Sequence, residues 1–318
     1  RSFLMFLYEK LATDLYDLEV EINKPADFDE FWNKTKEIAK EKLEFSLEEV
    51  AYPLKARVFK VTLLGYGDTK IYGWYLLPLN ETKKYPLGLF FHGYRGYASS
   101  PSSFANYLLN DFAVLAFDLR GQVGASGDGG YGGGHVPGWI TQGLDNPYDS
   151  YYQRLIVDAL RMVDLAVSLP EVDAKRIMVK GGSQGGGLSL ATAALSDDVS
   201  LCIAGVPNMC YTEYGVLHSS SSLREIMEYL KLYPEKAPAF FNTLSYFDNV
   251  NLAPLIKCPV LVSVGMQDPV CLPKTVFAAY NRIQAPKEIC VYPFSSHDGG
   301  GELFQKTAME FAIKHLNP

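Results

Sequence analysis

The chain has 318 residues, of which 48% are hydrophobic, so it can bury a sizeable core in one large α/β domain or in two smaller ones. Its formal net charge of −7 and the lack of any basic run exclude a typical nucleic-acid-binding surface. The longest apolar runs, such as residues 87–91 and 260–264, have the length of core strands and are too short to cross a membrane.

The five cysteines are odd in number and have no C-x-x-C spacing. This usage indicates reduced structural thiols and a protein of a reducing compartment. The first seven residues include a short apolar run but no small-residue cleavage site, which argues against a secretory signal.

Residues 1–50 are predicted to form a helical arm that lies against the main domain or against a neighbouring subunit. One helix of this arm begins near residue 28, with Asp27 or Asp29 as its N-cap. Phe28, Phe31 and Trp32 then share one helix face, which predicts a packing stripe rather than a ligand site.

Two strand-like runs, residues 57–64 and 71–79, are joined by a glycine-containing turn and predict a hairpin. A buried strand at residues 87–91 follows, and it ends in His92-Gly93-Tyr94-Arg95-Gly96. Taken alone, this sequence predicts no more than a turn at the end of a strand, and its functional interpretation depends on the serine motif described below.

The next buried strand, residues 113–117, is followed by Arg120, which is expected to brace neighbouring loops. A glycine-rich loop at residues 124–143 contains G-x-G-x-x-G at positions 127–132. No helix begins after this motif to hold a pyrophosphate, so a nucleotide site is excluded, and His135 is expected in a solvated loop. Residues 151–169 predict a long amphipathic helix that ends at Pro170.

The most informative stretch is Lys180-Gly-Gly-Ser-Gln-Gly-Gly-Gly187, which contains G-x-S-x-G around Ser183. A strand-like run precedes it and an Ala- and Leu-rich helical run follows it, so the serine occupies the apex of a sharp strand-to-helix turn. The glycines two residues before and after it remove Cβ atoms that would clash in so tight a turn. This context predicts a nucleophile whose Oγ is exposed above the sheet, with the packing turn as the alternative.

A strand at residues 201–206 precedes a segment, residues 208–250, that leaves the strand–helix alternation. This segment is helical and aromatic, as expected of a lid inserted over an active site, and its serine run at 219–222 predicts a loop and a helix cap. Strands at 259–264 and 287–292 and a helix at 301–316 complete the chain. The repeated units predict a mainly parallel sheet with helices on both faces and functional loops at the carboxyl ends of the strands.

Ser183, Asp268 and His297 each follow a predicted strand and occur in the chain order of the α/β-hydrolase fold. His297 is expected to act as general base and then general acid, and Asp268 is expected to orient its ring. Backbone N–H groups of Tyr94 and Gln184 are the expected oxyanion donors. Asp298 and, more weakly, Asp248 are alternatives to Asp268 as the acid that orients the histidine ring. His218 is not expected to be catalytic, because the chain order of the other candidates is complete without it. No metal-ligand cluster is evident, so no cofactor is expected.

These residues resemble the cephalosporin C deacetylase and acetyl xylan esterase family, carbohydrate esterase family seven. The likeness rests on Arg120-Gly-Gln122, the serine motif and the turn at His297, and it spans nearly the whole chain. Further similar stretches lie at residues 27–32, 138–143, 243–248, 263–268 and 275–281. One departure is Asp298, because the family usually has Glu after the catalytic histidine. The lid segment is also less similar than the rest.

The resemblance implies a cofactor-free serine esterase that removes acetyl groups from small acetylated carbohydrates such as xylo-oligosaccharides, and often from cephalosporin C. It also implies a cytoplasmic hexamer, built as a dimer of trimers, and assigns the same roles to Ser183, Asp268, His297, Tyr94 and Gln184. We therefore expect one α/β-hydrolase domain over residues 1–318, without nucleic-acid or membrane partners. A lipase-like enzyme, a prolyl-oligopeptidase-like peptidase and a catalytically silent protein on the same fold are the alternatives.

Overall fold

A nine-stranded sheet forms the centre of the part of the chain that the computed structural model describes, which is residues 6–80, 84–129 and 138–317. Its strands are β1 (Phe45–Glu49), β2 (Arg57–Leu64), β3 (Lys70–Leu77), β4 (Tyr85–Phe91), β5 (Ala113–Phe117), β6 (Val172–Gly182), β7 (Leu201–Gly205), β8 (Val260–Gly265) and β9 (Lys287–Tyr292). They lie in the order β1-β2-β3-β5-β4-β6-β7-β8-β9. The run from β5 to β9 is parallel, whereas β1, β2, β3 and β5 pair antiparallel.

Helices cover both faces of the sheet, as the sequence predicts. They are α1 (Leu7–Tyr16), α2 (Phe28–Lys40), α3 (Ala105–Leu109), α4 (Tyr151–Ser168), α5 (Gln184–Leu195), α6 (Thr212–His218), α7 (Ser222–Leu232), α8 (Ala237–Phe247), α9 (Asn249–Leu252), α10 (Pro273–Tyr280) and α11 (Gly301–Leu316). The larger apolar core lies beneath the face that carries α4 and α5, and a smaller one lies beneath α3 and α11. None of the helices in the described ranges is long and apolar enough to span a bilayer.

The N-terminal segment is helical only in part. Its α2 buries the predicted stripe of Phe28, Phe31 and Trp32, and the Trp32 indole donates to the carbonyl of Tyr246 in α8. Asp27 stands at the N-cap position, but its carboxylate accepts from the Tyr246 hydroxyl instead of capping the helix.

The prediction of helix through residue 50 is wrong at its end, because residues 45–49 form strand β1. All five of these residues are exposed, so no burial pattern in the sequence distinguishes them from a solvated helix. Backbone pairing with β2 along the sheet edge decides their conformation.

The segment after β7 is helical, as predicted, and consists of α6 to α9. The Ser219 and Ser220 hydroxyls donate to the carbonyls of Val270 and Pro269, and so fasten this segment to the loop after β8. Ser221 stands at the N-cap position of α7, as predicted for the serine run, but its side chain makes no capping hydrogen bond. All five cysteines are free, as expected of structural thiols. His135 and Gly132 of the glycine-rich loop lie outside the described residues.

Candidate active site

Ser183 occupies a strained turn between β6 and α5. Its backbone angles are φ 56° and ψ −120°, a conformation that is unusual for a residue with a side chain. The two flanking glycines make this turn possible: a Cβ at Gly181 would lie 2.4 Å from the backbone of Gly185, and one at Gly185 would lie 2.1 Å from the carbonyl oxygen of Phe91. The predicted role of these glycines is confirmed, and the turn has the geometry of a nucleophile elbow.

The structure brings Ser183, His297 and Asp268 into one hydrogen-bonded chain. Ser183 Oγ lies 3.1 Å from His297 Nε2, and His297 Nδ1 lies 2.8 Å from Asp268 Oδ2. Because Asp268 can only accept when ionised, Nδ1 carries the imidazole proton and Nε2 presents its lone pair to the serine. This tautomer suits proton abstraction from the Ser183 hydroxyl.

Asp268 is buried and held by its own loop. Its Oδ1 accepts from the N–H groups of Val270 and Cys271 at 2.8 and 3.0 Å, which leaves Oδ2 directed at His297. These hydrogen bonds satisfy the carboxylate, which is only 2% exposed to solvent.

The two rival carboxylates have other partners. Asp248 is buried and accepts from the backbone N–H groups of Tyr211, Thr212 and Val250, so it fixes the start of the helical segment after β7. Asp298 accepts from the N–H of Ser296 at 2.9 Å and thus stabilises the turn that carries His297. His218 lies on α6 against Tyr214, with ring centroids 4.0 Å apart.

The two expected oxyanion donors follow neighbouring parallel strands in equivalent positions. Phe91 of β4 pairs with Gly181 of β6, and Tyr94 and Gln184 each lie three residues beyond that pair. Gln184 is the first residue of α5, so its N–H has no carbonyl to bond four residues back within the helix. Both backbones therefore reach the same edge of the sheet as Ser183, where the helix N-terminus also favours negative charge.

Gln122 links the two loops that carry the expected oxyanion donors, a contact that the sequence does not reveal. Its Oε1 accepts from the N–H of Arg95, next to Tyr94, at 2.9 Å. Its Nε2 donates to Gln184 Oε1 and to the Tyr151 hydroxyl, both at 2.9 Å. The only signal was its position beside Arg120 in the family-like motif.

Glu225 of α7 joins the helical segment after β7 to the loop that carries Tyr94 and Arg95. Its Oε2 accepts from the Tyr94 hydroxyl at 2.8 Å and from the N–H of Gly138 at 2.7 Å, and its Oε1 lies 2.5 Å from Arg95 Nη2. These partners lie 131, 87 and 130 positions away along the chain, so no local pattern could have identified them.

Arg120 braces the surrounding loops, as predicted. It is 1% exposed and makes a bidentate pair with Asp158 of α4, at 2.6 and 2.9 Å. Its Nη1 also donates to Asp128 at 2.6 Å and its Nη2 to the carbonyl of Tyr66 at 3.0 Å. The buried guanidinium is thus held by two carboxylates and a carbonyl and is unavailable to a substrate.

Cys271 lies beside the nucleophile, with its Sγ 3.9 Å from Ser183 Oγ. Together with Asp268 and His297 it forms the group of potential metal ligands found in the described ranges, with ligand atoms within 4.8 Å of one another. Burial raises the pKa of the Cys271 thiol well above its usual value, so the thiol stays protonated and is a poor ligand. The arrangement suits proton transfer at Ser183 better than metal binding.

Comparison with known proteins agrees with this geometry. A profile of the acetyl xylan esterase (AXE1) family matches residues 5–315. The chain belongs to the acetyl xylan esterase family. The resemblance seen in the sequence is therefore confirmed over nearly its whole length.

Three relatives show how close this family member is to characterised proteins. The first is acetyl esterase Axe7A of Xylanibacter ruminicola, which is 33% identical to this chain over 287 residues. The alignment covers 86% of this chain and 63% of that protein. The chain thus spans less than two thirds of that relative's length.

Two solved acetyl xylan esterases match almost completely. The enzyme from Paenibacillus sp. R4 superimposes with a TM-score of 0.91 at 36% identity and covers 96% of this chain and 99% of its own. Acetyl xylan esterase 1 from Thermoanaerobacterium sp. JW/SL YS485 superimposes with a TM-score of 0.89 at 34% identity. This match covers 99% of this chain and 100% of that enzyme's chain.

More distant structures share only the fold with this family member. The α/β hydrolase GrgF from Penicillium sp. sh18 superimposes with a TM-score of 0.57 at 15% identity, and covers 86% of this chain and 99% of its own. This likeness, together with the parallel sheet flanked by helices, confirms the predicted α/β-hydrolase fold.

Proposed function

We propose that this protein is a serine esterase that removes acetyl groups from small acetylated carbohydrates through an acyl-enzyme intermediate. The observation that carries the proposal is the hydrogen-bonded chain from Ser183 Oγ through His297 to Asp268, at 3.1 and 2.8 Å, in a member of the acetyl xylan esterase family. The protonation pattern that this chain implies is the one required for nucleophilic catalysis by serine.

In the first step His297 Nε2 takes the hydroxyl proton as Ser183 Oγ attacks the acetyl carbonyl. Asp268 stabilises the imidazolium that forms, and His297 then returns the proton to the departing sugar oxygen. In the second step a water molecule gives its proton to His297 and attacks the acetyl-serine, which releases acetate and restores the serine. The N–H groups of Tyr94 and Gln184 hold the oxyanion in both steps, each contributing about 3–4 kcal/mol.

A short acyl group is favoured by the side of Ser183 that faces Cys271. Cys271 Sγ stands 3.9 Å from Ser183 Oγ, and Asp268 and Ser219 fix the loop that bears it, so this side of the serine offers little room. We therefore propose acetyl esters of xylo-oligosaccharides as substrates, with the acetyl group of cephalosporin C as a further one. Assembly into a hexamer, a cytoplasmic location and a single-domain organisation stay predictions of the resemblance.

An acyl-length series of p-nitrophenyl esters tests the proposal, with the wild type measured beside Ser183→Ala. We expect acetate to be preferred strongly over longer acyl groups, and turnover to fall by about 10⁶-fold in the variant. Ser189→Ala, which removes a buried hydroxyl of α5 that donates to the carbonyl of Gly185, is a matched control and should retain activity. Equal or better turnover of octanoyl esters would favour a lipase-like enzyme, and equal activity of Ser183→Ala would refute the nucleophile.

A further inference from the structure

A cavity of about 360 Å³ opens beside Ser183 on the face of the sheet that α3 and α11 cover. Ser183 and His297 line it together with Lys180, which lies three residues before the nucleophile on β6. Met178, two residues earlier on the same strand, is buried beneath α3 and α11, so the alternation of β6 directs Lys180 to the same face. The volume is within the range of small-molecule sites.

Lys180 brings a buried positive charge into this cavity. The residue is 7% exposed, and its Nζ donates to the Tyr107 hydroxyl at 2.6 Å and to Gln305 Oε1 at 2.7 Å. An ammonium has three N–H donors, and within the described part of the chain the third has no acceptor. Nor does any carboxylate of those residues lie within 4 Å of Nζ.

A buried ammonium without a counter-charge is costly. Burial lowers the pKa of Lys180 to about 8, so the side chain still carries its proton at neutral pH for most of the time. The exposed carboxylate of Asp298 also lines the cavity, but in contact with solvent and turned to its own loop. An anion that enters the cavity would supply the negative counter-charge that is missing beside the Lys180 ammonium.

We infer that this cavity is a binding site for a small carboxylate, with Lys180 as its counter-ion. A carboxylate can accept the third N–H of the ammonium, and the hydroxyl-bearing residues Ser99 and Ser103 line the same space. Two sources share this chemistry: the acetate released at Ser183, and an acidic group on the sugar that leaves. Only the first source rests on the proposed function, because a carboxylate can bind whether or not the serine reacts.

Acetate binding to Ser183→Ala tests the inference without any turnover, by isothermal titration calorimetry with sodium acetate. Adding Lys180→Met should weaken acetate binding at least about tenfold, the loss that removal of a charged hydrogen bond produces. Lys287→Met is the matched control: this ammonium also makes two hydrogen bonds, to the carbonyls of Tyr280 and Asn281, and burial also lowers its pKa, but it does not line the cavity. It should leave acetate affinity unchanged.

Two further arms keep the test decisive. Acetamide has the shape of acetate without its charge and should bind Ser183→Ala at least about tenfold more weakly, a comparison that stands even if Lys180→Met fails to fold. Glucuronate replaces acetate in the third titration: tighter binding than acetate, lost with Lys180→Met, assigns the site to an acidic sugar, and weaker binding assigns it to released acetate.

Equal affinity for acetate and acetamide, or an unchanged affinity in folded Lys180→Met, would overturn the inference. Failure of the proposed function would be seen separately, as an inactive wild-type protein that still binds acetate through Lys180.

Discussion

Replacement of Gln122 by Leu tests whether the proposed oxyanion site depends on a residue that makes no hydrogen bond to Ser183 or His297. The Gln122 side chain is buried and spans the gap between the loop after β4 and the start of α5. Leu has a similar size but makes none of the three hydrogen bonds to Arg95, Gln184 and Tyr151. The loop that carries the N–H of Tyr94, next to Arg95, then loses one of the contacts that position it, while Glu225 still holds the Tyr94 hydroxyl.

The magnitude follows from what the two loops contribute. Loss of one oxyanion donor costs about 10²–10³-fold in kcat, and this is the ceiling for a change that only misplaces a donor. Because Phe91 and Gly181 still hold the strands in register, we expect a partial loss of about 10- to 100-fold in kcat with little change in KM. The three lost hydrogen bonds should also lower the free energy of unfolding by about 2–4 kcal/mol.

Steady-state kinetics with p-nitrophenyl acetate and urea unfolding together separate these effects. Gln122→Glu keeps the acceptor for the Arg95 N–H and should recover part of kcat. Tyr151→Phe removes a hydroxyl that contacts Gln122 and the carbonyl of Arg120 but neither oxyanion loop, so it should lose stability with kcat nearly intact. A folded Gln122→Leu variant with kcat within twofold of wild type would refute the reasoning.

Three other substitutions test the supports of the site. Arg120→Met leaves the buried carboxylate of Asp158 without its ion pair and should cost about 3–5 kcal/mol in urea unfolding; a loss below 1 kcal/mol would contradict the bracing role. Phe31→Ala opens a cavity between α2 and the lid and should cost about 3–5 kcal/mol, whereas an unchanged unfolding midpoint would show that the arm is not part of the core. Glu225→Gln weakens the charged contacts to Tyr94 and should lower kcat/KM about 3- to 10-fold; the same loss at every salt concentration would argue against an electrostatic cause.

The three residues of the hydrogen-bonded chain could be predicted because each carries a local signal. Ser183 has the glycine pattern that a sharp turn requires, and Asp268 and His297 each follow a strand of recognisable composition. Parallel strands bring such loop residues to one edge of a sheet, so order along the chain was enough to place them together. The helical segment after β7 and both helical layers were predictable because they follow from local periodicity.

Contacts that join distant segments were not predictable. Gln122 and Gln184 are 62 positions apart, and Tyr94 and Glu225 are 131 apart, so their side chains meet only after the sheet has assembled. Lys180 interrupts an apolar strand, which gives no indication of whether it faces solvent or a cavity until α3 and α11 are in place. Strand β1 was misread because an edge strand can form through backbone pairing alone, without a buried face.

The end of β4 packs closely against the turn at Ser183, so the residues around the proposed site also hold two strands of the sheet together. The carbonyl of Phe91 lies close to where Cβ atoms of Gly181 and Gly185 would be, so these two glycines allow the end of β4 to approach the turn at Ser183. The same register then places Tyr94 and Gln184 each three residues beyond the last strand pair, in loops at the same edge of the sheet as Ser183. A side chain at either glycine would therefore act on the oxyanion site by separating two strands, and not only by straining the turn. Gln122 and Glu225 add restraints to a geometry that the backbone has already chosen, which is why their removal should reduce turnover by far less than loss of Ser183.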